Sequence, residues 1–143
     1  MKLLPPILLV DDDPDDRDLA SLVLTGAFGE ITVEPVGDAG VLTRALASRR
    51  FGLLITEFQL DWIDGAEVVR LAREMRPDCA TVLFTDTVSK QLVDDAIKLG
   101  VDAFVPKSSG GFSKLPLAVR TALYRARRRA MDTAKEAPYR RVF

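Results

Sequence analysis

The stretch "LLITEFQLDWIDG", residues 53–65, joins an apolar run of strand length to an acidic loop that begins directly after it. Glu57 stands where the strand is predicted to end, and Asp64 with Gly65 forms a turn toward a following helix. The pattern predicts a strand, a loop and a helix in succession. Because the strand ends of α/β proteins are common places for chemistry, Glu57 is the first candidate functional residue.

The same strand and helix unit recurs along the chain. Five apolar runs have strand character: residues 7–10 (ILLV), 31–36 (ITVEPV), 53–56 (LLIT), 81–85 (TVLFT) and 101–105 (VDAFV). Apolar residues at helical spacing form five stripes: Leu19, Leu22 and Val23; Val41, Leu42, Ala45 and Leu46; Val68, Val69, Ala72 and Met75; Leu92, Val93, Ala96 and Ile97; Leu115, Val119, Ala122, Leu123 and Ala126. We expect Pro14 in the first turn of the first helix and Gly100 at the end of the fourth. Strands that are apolar without alternation are typical of a parallel sheet covered by helices on both faces, so we predict an α/β fold.

Composition narrows the classes of function. The 143 residues are 48% hydrophobic and 29% charged, which is typical of one globular domain. The chain has no histidine, and this excludes histidine-based catalysis and histidine metal sites. A single cysteine, Cys79, excludes an internal disulfide and favours a cytoplasmic location. We interpret "MKLLPPILLV" as a first strand rather than a signal peptide, and no run is long enough to predict a membrane span.

Charge is segregated along the chain. Residues 114–143 contain nine Lys or Arg against two acids and carry +7, whereas residues 1–113 carry -8. Nucleic-acid binding through this basic segment is an alternative function, which would depend on Arg120, Arg125, Arg127, Arg128, Arg129, Arg140 and Arg141. Since these arginines lie on the polar side of the last apolar stripe, we favour a solvated helix face and no nucleic-acid partner.

Chemically useful side chains follow four of the five strands. They are Asp11, Asp12 and Asp13 after the first strand, Glu57 after the third, Thr85 and Asp86 after the fourth, and Lys107 after the fifth. Carboxylates with a Mg²⁺ ion, a hydroxyl and an ammonium group together can handle a phosphoryl group. Each also has a simpler explanation: the aspartates can cap the first helix, and Lys107 or Thr85 alone can be structural.

These segments resemble a response-regulator receiver domain of two-component phosphorelay signalling systems. The resemblance rests on "ILLVDDDPDD", "LLITEFQLDWIDG", "VLFTD" and "AFVPKS", which occur in the family's order. It covers residues 5–128 and leaves residues 129–143 as a basic C-terminal tail or linker. It implies a flavodoxin-like (βα)5 fold with a parallel sheet in the strand order 2-1-3-4-5.

The resemblance also assigns roles to individual residues. Asp11 and Asp12 match the acidic pair that binds magnesium, with Asp12 the more direct ligand. Glu57 would be a further metal ligand, and Gln59 would offer a backbone carbonyl to the metal. Thr85 matches the switch hydroxyl, and Lys107 matches the lysine that pairs with the phosphoryl group. Phe104 matches the aromatic residue whose rotamer follows activation, although a plain edge-strand hydrophobe is an equal interpretation.

The match breaks at the phosphoacceptor, because residue 57, seven positions before Asp64, is glutamate where the family has aspartate. The extra methylene displaces the carboxylate by about 1.5 Å, and a misplacement near 1 Å can cost on the order of 100-fold in transfer rate. Glu57 should therefore be a poor acceptor, with Mg²⁺ bound weakly or not at all. It either extends toward Lys107 and Thr85 and imitates a phosphoryl group, or disables the switch of a pseudo-receiver, or is an engineered change.

We predict that the chain acts by protein contact. The expected partner is a sensor histidine kinase or another signalling protein. A homodimer is possible through the face of the fourth helix, fifth strand and fifth helix, with Leu92, Ile97, Phe104 and Ala118 as contacts. A metal-dependent phosphate-handling enzyme is the other alternative, but Phe58 and Gln59 follow Glu57 and provide no second acid, so we expect no enzymatic activity.

Overall fold

The computed structural model describes residues 4–86, 88–108 and 110–142, along which strands and helices alternate. The strands are β1 (Ile7–Val10), β2 (Val33–Val36), β3 (Leu53–Thr56), β4 (Ala80–Thr85) and β5 (Ala103–Pro106). The helices are α1 (Pro14–Phe28), α2 (Ala39–Ser48), α3 (Gly65–Met75), α4 (Lys90–Leu99) and α5 (Gly111–Val142). The strands form one parallel sheet in the order β2-β1-β3-β4-β5, which confirms the predicted fold.

The central strands β1, β3 and β4 are mostly apolar because they are buried on both faces, whereas the edge strand β2 is partly exposed. Along β1, Ile7 and Leu9 pack into a core shared with α1 and α5, while Leu8 and Val10 pack into a second core shared with α2 and α3. Successive strand side chains point to opposite faces, so a strand between two layers of helices needs apolar residues at every position. This explains the unbroken apolar runs in the sequence.

Local signals set the helix boundaries as expected. The Asp13 carboxylate accepts hydrogen bonds from the backbone N–H groups of Asp15 and Asp16, and Pro14 lies in the first turn of α1. Gly100 ends α4 in the left-handed conformation, at φ 74°. Such caps satisfy backbone groups that a helix end leaves without partners.

Gly65 is required by a close approach of backbone segments. Its N–H donates to the carbonyl of Phe58 at 2.8 Å. A Cβ at this position would lie 2.7 Å from the Cα of Phe58 and closer still to the carbonyl oxygen of Glu57. The start of α3 is therefore pressed against the chain that leaves β3, and this contact fixes the backbone that carries Glu57.

Two strands begin later than the sequence predicts. β2 starts at Val33 rather than at residue 31, because its pairing with β1 runs only from Ile7 opposite Val33 to Val10 opposite Val36. β5 starts at Ala103 rather than at residue 101, because the Asp102 carboxylate turns inward to accept a hydrogen bond from the backbone N–H of Thr81.

Two of the predicted apolar stripes are partly wrong. In α1 the buried residues are Ala20 and Leu24, while Leu22 is 70% exposed. In α4 Leu92 and Ala96 are buried, but Ile97 is 71% exposed. Each of these helices carries more apolar residues than its narrow contact with the sheet can cover.

Asp102 joins several elements at the amino ends of the strands. Its carboxylate accepts hydrogen bonds from Thr81 and an ion-pair hydrogen bond from Arg129 of α5, and lies 3.6 Å from the guanidinium of Arg73 of α3. Its carbonyl accepts from Arg125 at 2.6 Å. The cluster ties α3, β4 and α5 to the start of β5.

Helix α5 continues past the predicted domain boundary. It runs from Gly111 to Val142, so most of the segment 129–143 is helical, and Phe143 lies outside the described residues. The division at residue 128 stays a prediction. Over the described residues, no helix combines the length and the apolar character needed to cross a membrane.

Candidate functional site

Lys107 lies at the centre of the strand-end cluster. Its backbone N–H donates to the carbonyl of Thr85 at 2.8 Å, which places the side chain over the carboxyl ends of β1 and β3. Its Nζ lies 2.6 Å from Asp11 Oδ2 and 2.8 Å from Asp16 Oδ2. It is also 3.5 Å from Glu57 Oε1 and 3.8 Å from Asp86 Oδ2. The side chain is only 3% exposed, so one buried ammonium faces four acids.

The acids decide the protonation of this lysine. Burial alone would lower the pKa of Lys107, but its hydrogen bonds to Asp11 and Asp16 outweigh burial and raise the pKa above the ordinary value. Burial raises the pKa of Asp11, opposed by the hydrogen bonds from Lys107 and the Asp13 N–H. The Lys107 Nζ also lies 5.5 Å from the centre of the Phe84 ring. Lys107 is therefore charged at neutral pH.

Glu57 is held between two loops and is 9% exposed. Its Oε2 accepts a hydrogen bond from the Phe58 N–H at 2.8 Å, and its Oε1 accepts from the Asp86 N–H at 3.1 Å. The same Oε1 is the atom that approaches Lys107. Both carboxylate oxygens thus have donors from the protein, and the side chain bridges the ends of β3 and β4.

Asp12 faces a different set of partners from Asp11. Its Oδ2 accepts from the Asp61 N–H at 2.7 Å, and its Oδ1 accepts from Trp62 Nε1 at 2.6 Å. Asp11 instead accepts from Lys107 and from the Asp13 N–H. The adjacent aspartates therefore hold separate parts of the site.

The predicted metal ligands do not fit a magnesium ion as they stand. Within residues 4–86, 88–108 and 110–142, no group of three or more acidic, cysteine or histidine side chains could hold a metal. Mg²⁺ needs about six oxygens in octahedral geometry. The carboxylate oxygens of Asp11, Asp12 and Glu57 each already accept from a protein donor. The arrangement is that of an internally hydrogen-bonded cluster.

The remaining predicted site residues lie around this cluster. Thr85 is fully buried at the end of β4. Phe104 is half-buried on β5 and packs against the small core that contains Leu83 and Leu92. Gln59 is exposed and forms an isolated β-bridge with Asp64. The switch roles of Thr85 and Phe104 and the metal role of Gln59 stay predictions.

Two members of the cluster are not identified by the strand-end pattern of the sequence. Asp16, in the first turn of α1, forms an ion pair with Lys107. Trp62, the only tryptophan of the chain, lies in the acidic loop after β3 and donates to Asp12. The first turn of α1 leaves the same sheet edge as Asp11, and this adjacency was the available signal for Asp16.

The face formed by α4, β5 and α5 is only partly available for contact. Of the predicted contact residues, Leu92 and Ala118 are buried, whereas Ile97 and half-buried Phe104 are accessible. Leu117 is also exposed on α5. Dimerisation through this face stays a prediction.

Comparisons with known proteins agree on one family. Residues 7–120 match the family model of the response regulator receiver domain. The transcriptional activator protein ExaE of Pseudomonas putida is 34% identical over 107 residues, which are 72% of this chain and 48% of ExaE. The chain spans about half the length of the curated relatives that it matches.

Solved structures show the same fold. A CheY-like response regulator receiver domain protein from Methanospirillum hungatei JF-1 superposes with a TM-score of 0.75 at 23% identity, covering 88% of this chain and 98% of the other. The signal receiver domain of an HD domain-containing protein from Pseudomonas fluorescens Pf-5 gives 0.74 at 26% identity, covering 87% and 98%.

Proposed function

Because the chain belongs to the response regulator receiver domain family, we propose that it signals through protein contact and that Glu57 occupies the phosphoacceptor position in place of a phosphorylated aspartate. Receiver domains are typically signalling modules rather than enzymes, and they interact with histidine kinases and other signalling proteins. The observation that carries the proposal is the engagement of both Glu57 oxygens, by Phe58, Asp86 and Lys107.

The contacts of Glu57 favour imitation of a phosphoryl group over a disabled switch. Its Oε1 accepts a hydrogen bond from the N–H of Asp86, the residue after Thr85. The same oxygen lies close to the Lys107 ammonium. A carboxylate offers one charge and two oxygens, against about two charges and three oxygens for a phosphoryl group. Lys107 also lies nearer to Asp11 and Asp16 than to Glu57, so the imitation is partial.

The two alternative functions, nucleic-acid binding and catalysis on external substrates, find less support. Arg125 and Arg129 donate to Asp102, and the Arg120 guanidinium lies 5.1 Å from the centre of the Phe28 ring. Three basic side chains of α5 are therefore engaged within the chain, which disfavours nucleic-acid binding. The side chains of Arg140 and Arg141 lie outside the described part. For catalysis on external substrates, Phe58 and Gln59 supply no second acid after Glu57.

We also propose a sensor histidine kinase or another signalling protein as the partner, with contact through accessible Ile97, Phe104 and Leu117. A cytoplasmic location is supported by the single, buried Cys79. Receiver domains generally bind Mg²⁺ at their acidic phosphorylation site. For this chain we propose that Mg²⁺ binding is weak.

The decisive experiment compares the protein with a Glu57→Asp variant. Both are incubated with acetyl phosphate at high magnesium concentration, and intact mass reports the gain of a phosphoryl group. We expect labelling of Glu57→Asp alone, because only the shorter side chain places its carboxylate for in-line transfer. A Glu67→Asp variant, which makes the same change on α3 outside the pocket, should stay unlabelled. Labelling of the unchanged protein would overturn the proposal.

A second measurement separates imitation from a disabled switch. The amide resonances of Asp86 and Lys107 are compared between the protein and Glu57→Asp before and after phosphorylation. Imitation predicts that the unchanged protein resembles phosphorylated Glu57→Asp. Resemblance to the unphosphorylated variant would show a disabled switch instead.

A further inference from the structure

We propose that the acidic pocket is closed to divalent cations by a latch in which the Asp61 N–H and the Trp62 indole hold both carboxylate oxygens of Asp12. This inference rests on the proposed function, because it concerns the control of the same pocket. We call these two hydrogen bonds to Asp12 the Asp12–Trp62 latch. Trp62 is then the residue that sets the metal affinity of the site.

Asp12 has a protein donor at each of its carboxylate oxygens. Its two oxygens accept at 2.7 Å from the Asp61 N–H and at 2.6 Å from Trp62 Nε1, both from the loop between β3 and α3. These are short, charge-assisted hydrogen bonds, which are stronger than neutral ones. A cation at Asp12 would have to displace or share these donors.

The two donors to Asp12 are held in place by the packing of Trp62 and by the close contact at Gly65. The Trp62 ring is half-buried and packs against the core that contains Val10 and Val68, so the indole cannot swing into solvent without leaving that core. The loop that carries Asp61 and Trp62 is fixed at its far end by the tight contact of Gly65 with Phe58.

Two other acids of the pocket, Asp11 and Asp16, are paired with Lys107. A cation beside Asp11 would lie close to the Lys107 ammonium, which is 2.6 Å from Asp11 Oδ2, and would be repelled by it. Lys107 also holds Asp16 at 2.8 Å. The ammonium thus neutralises part of the negative charge of Asp11 and Asp16, and less of that charge is left to attract a metal ion.

Together these contacts require a metal to displace or share two sets of interactions. The acids still outnumber Lys107, so the pocket attracts cations electrostatically. Attraction alone does not supply the six oxygens that Mg²⁺ needs. Removing the indole donor should therefore open the site at Asp12 without altering the acids.

The test uses Mn²⁺ as the probe and Trp62 as the reporter. Since Trp62 is the only tryptophan, its fluorescence reports the latch directly. We expect no change in emission when the unchanged protein is titrated with submillimolar Mn²⁺. A Trp62→Phe variant, which keeps an aromatic ring but loses the N–H donor, should bind Mn²⁺ about tenfold more tightly by calorimetry, because the metal no longer competes with a hydrogen bond to the Asp12 carboxylate. Adding Asp12→Asn to this variant should abolish the gain.

Two results would overturn the latch. One is a change in Trp62 emission of the unchanged protein at submillimolar Mn²⁺, a measurement that does not depend on any variant folding. The other is equal Mn²⁺ affinity of the protein and of folded Trp62→Phe.

A final comparison distinguishes this proposal from the proposed function. With acetyl phosphate at low magnesium concentration, Glu57→Asp/Trp62→Phe should be labelled about tenfold faster than Glu57→Asp, because it binds the metal about tenfold more tightly. Equal rates would refute the latch and leave the role of Glu57 intact. Labelling of the unchanged protein would refute the role of Glu57. The latch would then be tested by the Mn²⁺ measurements alone.

Discussion

Cys79 lies directly before β4 with its side chain fully buried, and burial governs how its thiol behaves. Its Sγ lies 3.3 Å from the carbonyl of Ala80. Burial raises the pKa of the Cys79 thiol to about 12, and the positive charge of Arg73 only partly opposes this effect. A thiol that stays protonated is a poor nucleophile, so Cys79 is a structural residue of the core.

This pKa predicts a loss of stability in alkali. Above the ordinary value of 9.0 the unfolded thiol ionises while the folded thiol keeps its proton. The unfolded state then binds fewer protons, so the free energy of unfolding falls as pH rises, by about 1.4 kcal/mol per pH unit. Urea unfolding at about pH 8 and about pH 10.5 should show a fall that is about 2 kcal/mol larger in the protein than in Cys79→Ala. Equal falls in both proteins would contradict the prediction.

Asp11 and Asp12 show what the sequence can and cannot predict at this scale. Their position after an apolar strand correctly placed both at the site edge. Their partners could not be predicted, because Lys107 and Trp62 lie 96 and 50 residues away along the chain. Which aspartate meets which donor depends on the backbone direction at the strand end, and residue type does not encode that direction.

At the scale of elements, two helical glycines differ in whether the structure has room for a Cβ. Gly65 begins α3 against the backbone of Phe58, where a Cβ has no room. Gly26 lies in α1, and a Cβ there would meet nothing within 4 Å. The first is required by packing, and the second is only a weak point of its helix.

The two positions form a matched pair of substitutions. Gly65→Ala should lower the free energy of unfolding by about 2 kcal/mol, because the backbone of the β3–α3 loop must move. Gly26→Ala should raise it by about 0.5 to 1 kcal/mol through helix propensity. Chemical denaturation of both variants measures the difference. A neutral Gly65→Ala would show that this loop tolerates displacement.

The stripes of α2, α3 and α5 were predicted well, whereas those of α1 and α4 were not. In α3 the apolar positions Val68, Val69 and Ala72 are bounded by charged residues, so only one face can be buried. In α1 an apolar residue occurs on nearly every side of the last two turns, and periodicity then permits several orientations. Contact with α5 and the sheet selects Ala20 and Leu24.

At the scale of the whole molecule, Asp102 connects parts of the chain that are distant in sequence. Its carboxylate is 3% exposed and faces Thr81, Arg73 and Arg129. Buried charges persist only when they are paired and hydrogen-bonded. The cluster therefore ties α3 and α5 to the same point of the sheet.

Asp102→Ala should destabilise the whole fold. It leaves two guanidinium groups and the Thr81 N–H without their acceptor, and such a loss costs about 3 kcal/mol. Asp94→Ala, on the exposed side of α4, should change the free energy of unfolding by less than about 0.5 kcal/mol. Thermal or urea unfolding of both variants provides the comparison. Similar stabilities would mean that Asp102 is dispensable.

The topology was predictable and the extent of α5 was not. Five apolar runs separated by helical stripes are typical of a parallel sheet, and the family resemblance of the motifs after those runs implies the strand order. Residues 129–142 are polar and basic, with too few apolar residues to predict a packed helix. They are helical because they continue α5, whose position is fixed by Arg125 and Arg129 at Asp102.

Helix α5 is long enough to amplify a small movement that begins at the acidic pocket. The helix starts beside Lys107 and returns along the sheet to Arg129, where it passes the amino ends of the strands. Residues 130–142 then extend about 20 Å farther at 1.5 Å per residue. A small tilt of the first turn at the acidic pocket would therefore be magnified at the distal end. Every residue inserted after Arg129 would rotate that end by about 100°.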